Sequence, residues 1–258
     1  MSIKFNHSNY KPAHDLLKKK NIIITGAGSG IGRQAALTFA SHGAQVILLS
    51  KTREKLASLD DEICALATTG FTVPKPILCQ IDFLKADESF YEKLVEQLEK
   101  ECGHIDGLLH NASMLGDLCE ISNYPAGIWN QVMQVNVNTA FLLSKATIPL
   151  MKKAASASMV FTSSSVGRKG RAYWGAYSVS KFAIEGLMQC LAEELENTSK
   201  IRVNSLNPGG THTTMRKAAF PAEDPKKLPE PQDIMNTYLY LMGDDSRSVH
   251  GQALNVRL

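Results

Sequence analysis

Residues 22–32 read IIITGAGSGIG, a short β-branched run that passes into a cluster of glycines. The β-branched run predicts a buried strand, and the glycines from Gly26 onward predict a tight turn after it. In residues 31–42 apolar and small side chains recur at helical spacing, so a helix follows the turn. A glycine-rich turn between a strand and a helix is typical of α/β proteins that hold phosphate groups at the start of that helix.

The same strand-then-helix pattern continues through the rest of the chain. The strand candidates are nearly all apolar, which is typical of a parallel sheet covered by helices on both faces. We therefore predict one α/β domain over residues 1–258, a doubly wound sheet with its ligand beyond the carboxyl ends of the strands. We expect residues 1–18 to be an N-terminal extension and residues 211–231 to form a substrate loop or lid. The further strand candidates are residues 45–49, 76–81, 107–110, 158–162, 201–206 and 253–256.

The composition is that of an ordinary globular protein. Of the 258 residues, 44% are hydrophobic and 21% are charged, which excludes disordered and disulfide-stapled classes. The net charge of +3 is too small to predict nucleic acid as the main partner, so we expect a small-molecule ligand. Five cysteines without a C-x-x-C pair favour a reducing compartment and predict no metal site. Because the sequence has neither a signal peptide nor an apolar stretch of membrane-spanning length, we expect a cytoplasmic protein.

The glycines follow the spacing T-G-x-x-x-G-x-G from Thr25 to Gly32 instead of G-x-G-x-x-G. Their place between a strand and a helix favours a dinucleotide site, although glycines can also serve a tight turn alone. An NAD site usually has a carboxylate at the end of the second strand. Ser50, Lys51 and Arg53 stand there instead and could donate to a 2′-phosphate, so NADP(H) is the predicted cofactor. Alternatively, Lys51 and Arg53 are solvated residues that open a helix.

Three residues predict proton exchange with a substrate oxygen. Tyr177 and Lys181 lie four residues apart in a segment with helical periodicity, so their side chains share one helix face. A nearby ammonium and an oxidised nicotinamide both favour the phenolate, which would let Tyr177 exchange a proton with an alcohol or carbonyl. Ser164 follows a predicted strand, where its hydroxyl could hold the substrate oxygen. Taken singly, a Y-x-x-x-K pair also occurs on solvated helices, and such a serine is often a plain turn residue.

Together these motifs resemble the short-chain dehydrogenase/reductase family over nearly the whole chain and in the family's order. Within the family, residues 207–222 and 241–247 look most similar to bacterial oxidoreductases of the YciK type. The matching motifs are Thr25 to Gly32, Asp82, His110-Asn111-Ala112-Ser113 for the usual N-N-A-G, Asn136, Ser164, Tyr177 with Lys181, and Asn207-Pro208-Gly209 with Thr213.

The resemblance implies a single-domain Rossmann fold with seven parallel strands, and NAD(P)-dependent oxidation or reduction of an alcohol or carbonyl. In the catalytic tetrad that it implies, Tyr177 is the general acid/base and Ser164 polarises the substrate oxygen. Lys181 would bind ribose and lower the tyrosine pKa, and Asn136 would support a water-linked proton relay to Lys181. The residues expected to bind the cofactor are Gly26, Gly28, Ser29, Gly30, Ile31, Ser50, Lys51, Arg53, Asp82, Phe83, Asn111, Ala112, Ser113, Tyr177, Lys181, Pro208, Gly209, Thr211 and Thr213.

The resemblance also implies a homo-oligomer, a tetramer or a dimer, packed through long helices. Helices predicted at about residues 129–151 and 173–196 carry apolar side chains that could form the subunit contacts or the monomer's own core. The sequence departs from the family at His110 and Ser113, which replace the usual Asn and Gly. Because serine lacks glycine's freedom at positive φ, this replacement leaves the backbone geometry of that turn open, and we still expect the turn to bind the cofactor.

Several readings of the site remain open from the sequence. Basic residues near the motifs could select an anionic substrate or be solvated surface cations, and nearby apolar residues could line a pocket or belong to the core. The rival function is a non-catalytic NADP(H)-binding sensor or interaction module, which would have no physical need for the tetrad. An epimerase or dehydratase would need a larger substrate domain. The basic residues near the motifs are Arg168, Lys169, Arg171, Arg216 and Lys217, and the apolar ones are Met114, Leu115, Trp174 and Met215.

Overall fold

The computed structural model describes residues 10–67 and 72–256 and contains one sheet of seven parallel strands. The spatial order of the strands is β3-β2-β1-β4-β5-β6-β7, which confirms the predicted doubly wound Rossmann sheet. The strands are β1 Asn21–Thr25, β2 Gln45–Ser50, β3 Ile77–Gln80, β4 Gly107–His110, β5 Ala157–Thr162, β6 Ile201–Asn207 and β7 Ala253–Asn255.

The central strands β1, β2, β4 and β5 are buried because side chains on both of their faces are mostly apolar. Successive side chains of a strand point to opposite faces, so Ile23 of β1 enters one hydrophobic cluster while Ile22 and Ile24 enter the other. The first cluster contains side chains of α3, α5 and α6, and the second contains side chains of α1, α2 and α8. The helices are α1 Gly30–Ser41, α2 Arg53–Ala65, α3 Glu88–Cys102, α4 Ala126–Met133, α5 Thr139–Met151, α6 Gly175–Leu195, α7 Thr214–Ala219 and α8 Met235–Met242.

The helix predicted at about residues 129–151 is interrupted in the structure. A π-helical turn, Gln134–Asn138, joins α4 to α5. Such a turn holds one extra residue and occurs often at functional sites. Here it carries Asn136, a member of the predicted tetrad. Hydrophobic periodicity did not reveal the interruption because the apolar pattern runs through it.

The order of the strands reverses at β1, which pairs with β2 on one side and with β4 on the other. The loops after β1 and β4 therefore diverge and leave a crevice at the carboxyl edge of the sheet. Of the predicted extension, residues 1–9 lie outside the described part. Leu17 is fully buried, and the Tyr10 hydroxyl donates to Asp245 at 2.6 Å, so the described end of the extension packs on the domain. In the described ranges, no helix combines the length and apolarity that crossing a membrane requires.

Candidate active site

A cleft of about 250 Å³ opens at the carboxyl edge of the sheet, at the predicted crevice. Its walls come from the loops after β1, β4, β5 and β6, from the start of α6 and from α7. Residues that are far apart in the sequence therefore meet because parallel strands bring their carboxyl ends to one edge. The predicted site residues that line the cleft are Gly26, Ser29, Gly30, Ile31, Asn111, Ala112, Ser113, Ser164, Tyr177, Lys181, Pro208, Gly209, Thr211 and Thr213.

The glycine turn has the shape required to hold a pyrophosphate. Gly26 has φ +69°, and a Cβ there would lie 2.9 Å from Ala112 Cα, so a side chain fits neither the backbone nor the space. Ser29 is the N-cap residue of α1, and its side chain forms no capping hydrogen bond. The first N–H groups of a helix have no partners within the helix and favour an anion. These residues fit the diphosphate of a dinucleotide.

Thr25 joins the glycine turn to the turn after β4. Its Oγ1 accepts hydrogen bonds from the backbone N–H groups of Asn111, at 2.9 Å, and Ala112, at 3.0 Å. Ser113, which replaces the usual glycine of this turn, does not have a positive φ. The non-glycine residues with positive φ in the described part are Lys19 and Tyr173, so Ser113 needs no conformational freedom that only glycine offers.

His110, the other departure from the family motif, lies inside the domain rather than in the cleft. Its Nε2 is 2.8 Å from Ser144 Oγ, and its ring stacks on Phe161 with centroids 4.6 Å apart. Burial lowers the pKa of the imidazole to about 3. His110 is therefore neutral at ordinary pH and supports the end of β4 by packing and one hydrogen bond.

Tyr177 and Lys181 lie on the first turns of α6 and are buried, with 8% and 3% of their surface exposed. Burial raises the pKa of the Tyr177 phenol to about 12, while the hydroxyls of Ser113 and Ser164 oppose that increase. Burial also lowers the pKa of Lys181 to about 8, against the attraction of the Glu185 carboxylate. Lys181 Nζ lies 5.5 Å from the centre of the Tyr177 ring. The pair confirms the predicted juxtaposition of a phenol and an ammonium.

Ser164 is held in place next to Tyr177 by a turn that is bonded to α6. It is the N-cap residue of a single 3₁₀ turn, Ser165–Gly167, and its Oγ accepts from Val166 N at 3.4 Å. The carbonyl of Val166 accepts from Ser178 Oγ at 2.6 Å. The serine thus has a fixed position relative to the helix that carries the tyrosine.

Asn136 is buried and contacts the turn after β4 rather than Lys181. Its Oδ1 accepts from Met114 N at 2.7 Å, and its Nδ2 donates to Met114 O at 3.0 Å and to Ser180 Oγ at 2.9 Å. Asn136 and Lys181 also border a second, internal cavity of about 10 Å³. That volume is on the order of what one water molecule needs. Lys181 Nζ donates to Thr162 O at 2.8 Å, and Thr162 borders the same cavity.

The residues predicted to bind the adenosine half of the cofactor gather at the end of β2, beyond the lining of the cleft. A Cβ on Gly28 would lie 2.5 Å from Ser50 Oγ, so the glycine turn packs directly on this end. Lys51 Nζ lies 3.1 Å from Asp82 Oδ2, although 67% of the lysine side chain is exposed. Although slight burial works in the opposite direction, the Lys51 ammonium and the backbone N–H of Leu84 lower the pKa of Asp82.

Two further residues of the predicted cofactor set differ in exposure. Arg53 begins α2 and is exposed to solvent. The Phe83 side chain belongs to the hydrophobic core, because only 7% of its surface is exposed. Any contact between Phe83 and a cofactor would therefore come from its main chain.

Glu185 is a site residue that the sequence analysis missed. It is buried one helical turn after Lys181 and accepts hydrogen bonds from Ser163, from Arg168 at 3.0 Å and from Ser205 at 2.7 Å. These bonds join the loop that contains Ser164 to β6. The available signal was an acidic residue four positions after the lysine, on the same helix face.

The structure places one of the five basic residues considered for substrate selection, Arg216, in the lining of the cleft. Arg168 is directed away from it, with Nη1 donating to Asn255 Oδ1 at 2.8 Å. Arg216 forms a two-pronged ion pair with Glu223, both contacts at 2.6 Å, and stacks on Phe220. Arg171 lies over the cleft-lining rings of Trp174 and Phe220, 5.7 and 5.3 Å from their centroids, without lining the cleft itself.

One wall of the cleft is apolar. Leu115, Trp174 and Met215 line it together with Phe220, whereas Met114 does not. The rings of Trp174 and Phe220 lie with centroids 5.5 Å apart, and Trp174 also contacts Tyr177. The apolar residues near the motifs thus form a pocket wall beside the phenol. In residues 10–67 and 72–256 no group of three or more His, Cys, Asp or Glu side chains is arranged to hold a metal ion.

A parallel sheet in this strand order, with a glycine turn at the reversal and a tyrosine–lysine pair at the same edge, defines a Rossmann protein of the dinucleotide-binding type. The sequence profile of the short chain dehydrogenase family matches residues 20–224, and the chain belongs to that family of enzymes.

Its relatives include the uncharacterized oxidoreductase YciK of Escherichia coli K12, which is 47% identical over 249 residues, 96% of each chain. A short chain dehydrogenase from Shigella flexneri, solved in complex with NADP, is 47% identical with a TM-score of 0.90, and the match covers 94% of this chain and 99% of that one. A short chain dehydrogenase from Escherichia coli CFT073, solved with NADPH, is 48% identical with a TM-score of 0.90, covering 95% and 99%.

Proposed function

We propose that the protein is an NADP(H)-dependent oxidoreductase that moves a hydride between the nicotinamide and a carbonyl or alcohol, with Tyr177 as general acid/base. The observation that carries this proposal is the meeting of Tyr177, Ser164 and Lys181 in a cleft that the glycine turn also lines. A protein that only binds a nucleotide has no physical need for a buried phenol and ammonium at that place.

The residues that would hold the cofactor fall into two groups. The glycine turn, Asn111 to Ser113, and the loop from Pro208 to Thr213 would surround the diphosphate and nicotinamide half. Ser50, Lys51 and Arg53, with Asp82 and Phe83 behind them, would surround the adenosine half. The preference for NADP(H) is supported by the absence of a carboxylate from Leu49 to Arg53 and by the cofactors bound in the Shigella and Escherichia relatives. The bound nicotinamide would supply or accept the hydride.

In reduction, Tyr177 would donate its phenolic proton to the carbonyl oxygen while Ser164 holds that oxygen by a hydrogen bond. The elevated pKa of Tyr177 keeps the phenol protonated at neutral pH, which suits this direction. In oxidation the phenolate accepts the proton of the alcohol, and the positive charge of Lys181 favours that form. Asn136 would hold a water between itself and Lys181, in the small cavity that both residues border, and so return the proton to solvent.

The same proposal includes a lid and a second subunit. The lid is the segment 211–231, which reaches the cleft through Thr213, Met215 and Phe220. Phe141 of α5 and Phe182 of α6 are 48% and 45% exposed, and a second copy of the chain packed on these helices would cover them. Sedimentation of a monomer at micromolar concentration would exclude the dimer or tetramer. The five unpaired cysteines are consistent with a cytoplasmic location.

The test measures the loss of NADPH absorbance with a panel of ketones, aldehydes, quinones and 3-oxoacyl thioesters. We expect Tyr177→Phe to lower kcat by about 10²–10⁴-fold, because it removes the only atom that exchanges the proton. Tyr173→Phe is the matched control, because it removes a hydroxyl from an exposed ring four residues earlier and should keep full activity.

The outcomes separate the enzyme from a binding module. Turnover that survives in Tyr177→Phe removes the tyrosine from the mechanism. Tight NADPH binding without turnover of any compound in the panel favours the sensor or interaction module instead.

A further inference from the structure

Ser113 carries a buried hydroxyl that the fold does not use. Its Oγ is inaccessible to solvent and forms no hydrogen bond with any described residue. Buried polar atoms almost always have a partner, and an unsatisfied one costs on the order of 1–3 kcal/mol. Ser113 nevertheless lines the cleft together with Tyr177, near enough for its hydroxyl to lower the pKa of that phenol. The orphan hydroxyl is therefore placed where its hydrogen bond would be made during the reaction.

The backbone around Ser113 is fixed on both sides. The N–H of Ala112 donates to Thr25 Oγ1 at 3.0 Å, and Met114 exchanges two hydrogen bonds with the side chain of Asn136, at 2.7 and 3.0 Å. Asn136 in turn donates to Ser180, three residues after Tyr177 on the same helix. The serine is thus tied to both the glycine turn and the helix of the tyrosine, so its hydroxyl has a set position relative to the phenol.

The remaining groups near the phenol already have other partners. Lys181 donates to Thr162 O at 2.8 Å, and its Nζ is 5.5 Å from the centre of the Tyr177 ring. Ser164 Oγ accepts from Val166 N and, in the proposed function, gives its own proton to the substrate oxygen. A phenolate in this dry site would require a hydrogen-bond donor of its own, because an unpaired buried charge is costly.

We propose that Ser113 is a second catalytic serine, whose hydroxyl donates a hydrogen bond to the phenolate oxygen of Tyr177. This inference rests on the proposed function, in which that oxygen exchanges the proton. In oxidation the alcohol proton passes to Tyr177, the phenolate becomes a phenol, and Ser113 keeps its own proton throughout. In reduction the same steps run backwards. Ser113 thus bonds to the tyrosine oxygen, and Ser164 bonds to the substrate oxygen.

The direction of the electrostatic effect agrees with this role. A hydrogen bond to the charged form of a group favours that form, so a donor to the phenolate lowers the pKa of the phenol. The Ser113 hydroxyl lowers the pKa of Tyr177 even though it lies outside good hydrogen-bonding geometry in the protonated state.

The first experiment follows the phenol directly, without substrate or cofactor. The protein is labelled with a fluorinated tyrosine, which is more acidic than tyrosine, and titrated by ¹⁹F NMR, and the resonance of residue 177 is assigned by its loss in Tyr177→Phe. We expect Ser113→Ala and Ser113→Gly to raise the titration midpoint by about 1 pH unit. Ser113→Thr keeps the hydroxyl and should keep the midpoint, and Ser165→Ala, at an exposed serine nearby, should do so as well.

The second experiment measures the pH profile of alcohol oxidation. Ser113→Ala should lower kcat at neutral pH by about tenfold and recover it about 1 pH unit higher, because only the protonation of Tyr177 has changed. A merely structural role for Ser113 would lower activity at all pH values without moving the profile. Ser113→Ala and Ser113→Gly add no volume and occur at a residue without positive φ, so these two variants should fold.

The outcomes distinguish this inference from the proposed function. If the midpoints of wild type and Ser113→Ala coincide while Tyr177→Phe abolishes turnover, the role of Ser113 is wrong and the proposed function stands. If no compound is turned over, the proposed function fails, and the ¹⁹F titration still decides whether Ser113 contacts the phenolate. A midpoint that falls in Ser113→Ala also overturns the inference.

Discussion

The two ends of the cofactor site are built differently. At the end proposed to transfer the proton, Tyr177 and Lys181 are buried and Lys181 is bonded to the backbone of β5. At the end of β2, Lys51 is 67% exposed and contacts a single carboxylate, Asp82. Burial and hydrogen bonds fix the first set before any ligand binds, whereas the second set is solvated and can exchange its partner. Substitutions should therefore have large effects that are insensitive to salt at the first end, and small effects that salt reduces at the second.

Lys181→Met should show the largest effect and so test the buried end most severely. The substitution keeps the volume of the side chain but removes the charge that favours the phenolate and the bond to Thr162 O. We expect kcat/KM to fall by about 10²–10³-fold, the usual cost of losing one electrostatic stabiliser in a dry site. Steady-state kinetics at low and high salt measure the loss, and salt should not change it.

Lys169→Met is the control for that variant, because this lysine is exposed and does not line the cleft. Its kcat/KM should stay within a factor of about two of wild type. If Lys181→Met keeps more than a tenth of the wild-type kcat/KM, activity depends less on the buried charge of Lys181 than we expect from the geometry.

His110→Asn tests whether burial has an energetic cost at the same end. The pKa of His110 is lowered to about 3 in the folded protein, against 6.5 for an unperturbed imidazole. Between these pH values the unfolded chain binds one more proton at this site, so folding stability is lost as the pH falls below about 6.5. The histidine alone should reduce the free energy of unfolding by about 2 kcal/mol from pH 7 to pH 5, and the variant should not lose that part.

Urea unfolding of the two proteins at both pH values measures the difference. The comparison uses the change with pH rather than the stability itself, because the substitution also alters packing against Phe161. His104→Asn is the control, since this partly exposed imidazole lies beside Asp106 and its loss should not reduce the acid sensitivity. Equal pH dependence in wild type and His110→Asn would show that His110 is protonated inside the fold.

The sequence predicted the backbone of the site better than its side-chain pairings. The ends of β1, β2 and β4 were predicted to within one residue because apolar runs stop at glycine or polar residues there. Once the sheet is parallel, Tyr177 and Ser164 must meet at its carboxyl edge, so their convergence follows from topology alone. This is why the loops after β1, β4, β5 and β6 line one cleft although they are far apart in the sequence.

What the sequence did not predict depends on contacts between distant segments. Arg168, one of the cations that could have contacted a substrate, forms an ion pair with Glu185 instead. No local sequence pattern signals such a pair. The π-helical turn that places Asn136 is invisible to periodicity because the apolar pattern runs through it. The partnerless hydroxyl of Ser113 could be recognised only after every neighbouring hydrogen bond was assigned. Motifs predict which residues take part, and packing decides what each of them contacts.

Lys51→Ala should have the smallest effect and tests the exposed end. A single solvated cation next to the 2′-phosphate should contribute about tenfold to the KM for NADPH and nothing to that for NADH, which lacks the phosphate. The increase in KM should shrink at high salt, because solvated charges are screened. Lys93→Ala removes an exposed lysine of α3 and should change neither constant.

Asp82→Asn sharpens the same comparison in the opposite direction. It removes the carboxylate that holds Lys51 at 3.1 Å and leaves the ammonium free to turn toward a phosphate. If Lys51 contacts the 2′-phosphate, Asp82→Asn should lower the KM for NADPH relative to that for NADH, and the double variant should lose this gain. If Asp82→Asn instead raises both constants equally, Asp82 contacts the adenosine shared by the two cofactors, and Lys51 only balances its charge. The exposed end would then bind adenosine without selecting between the cofactors.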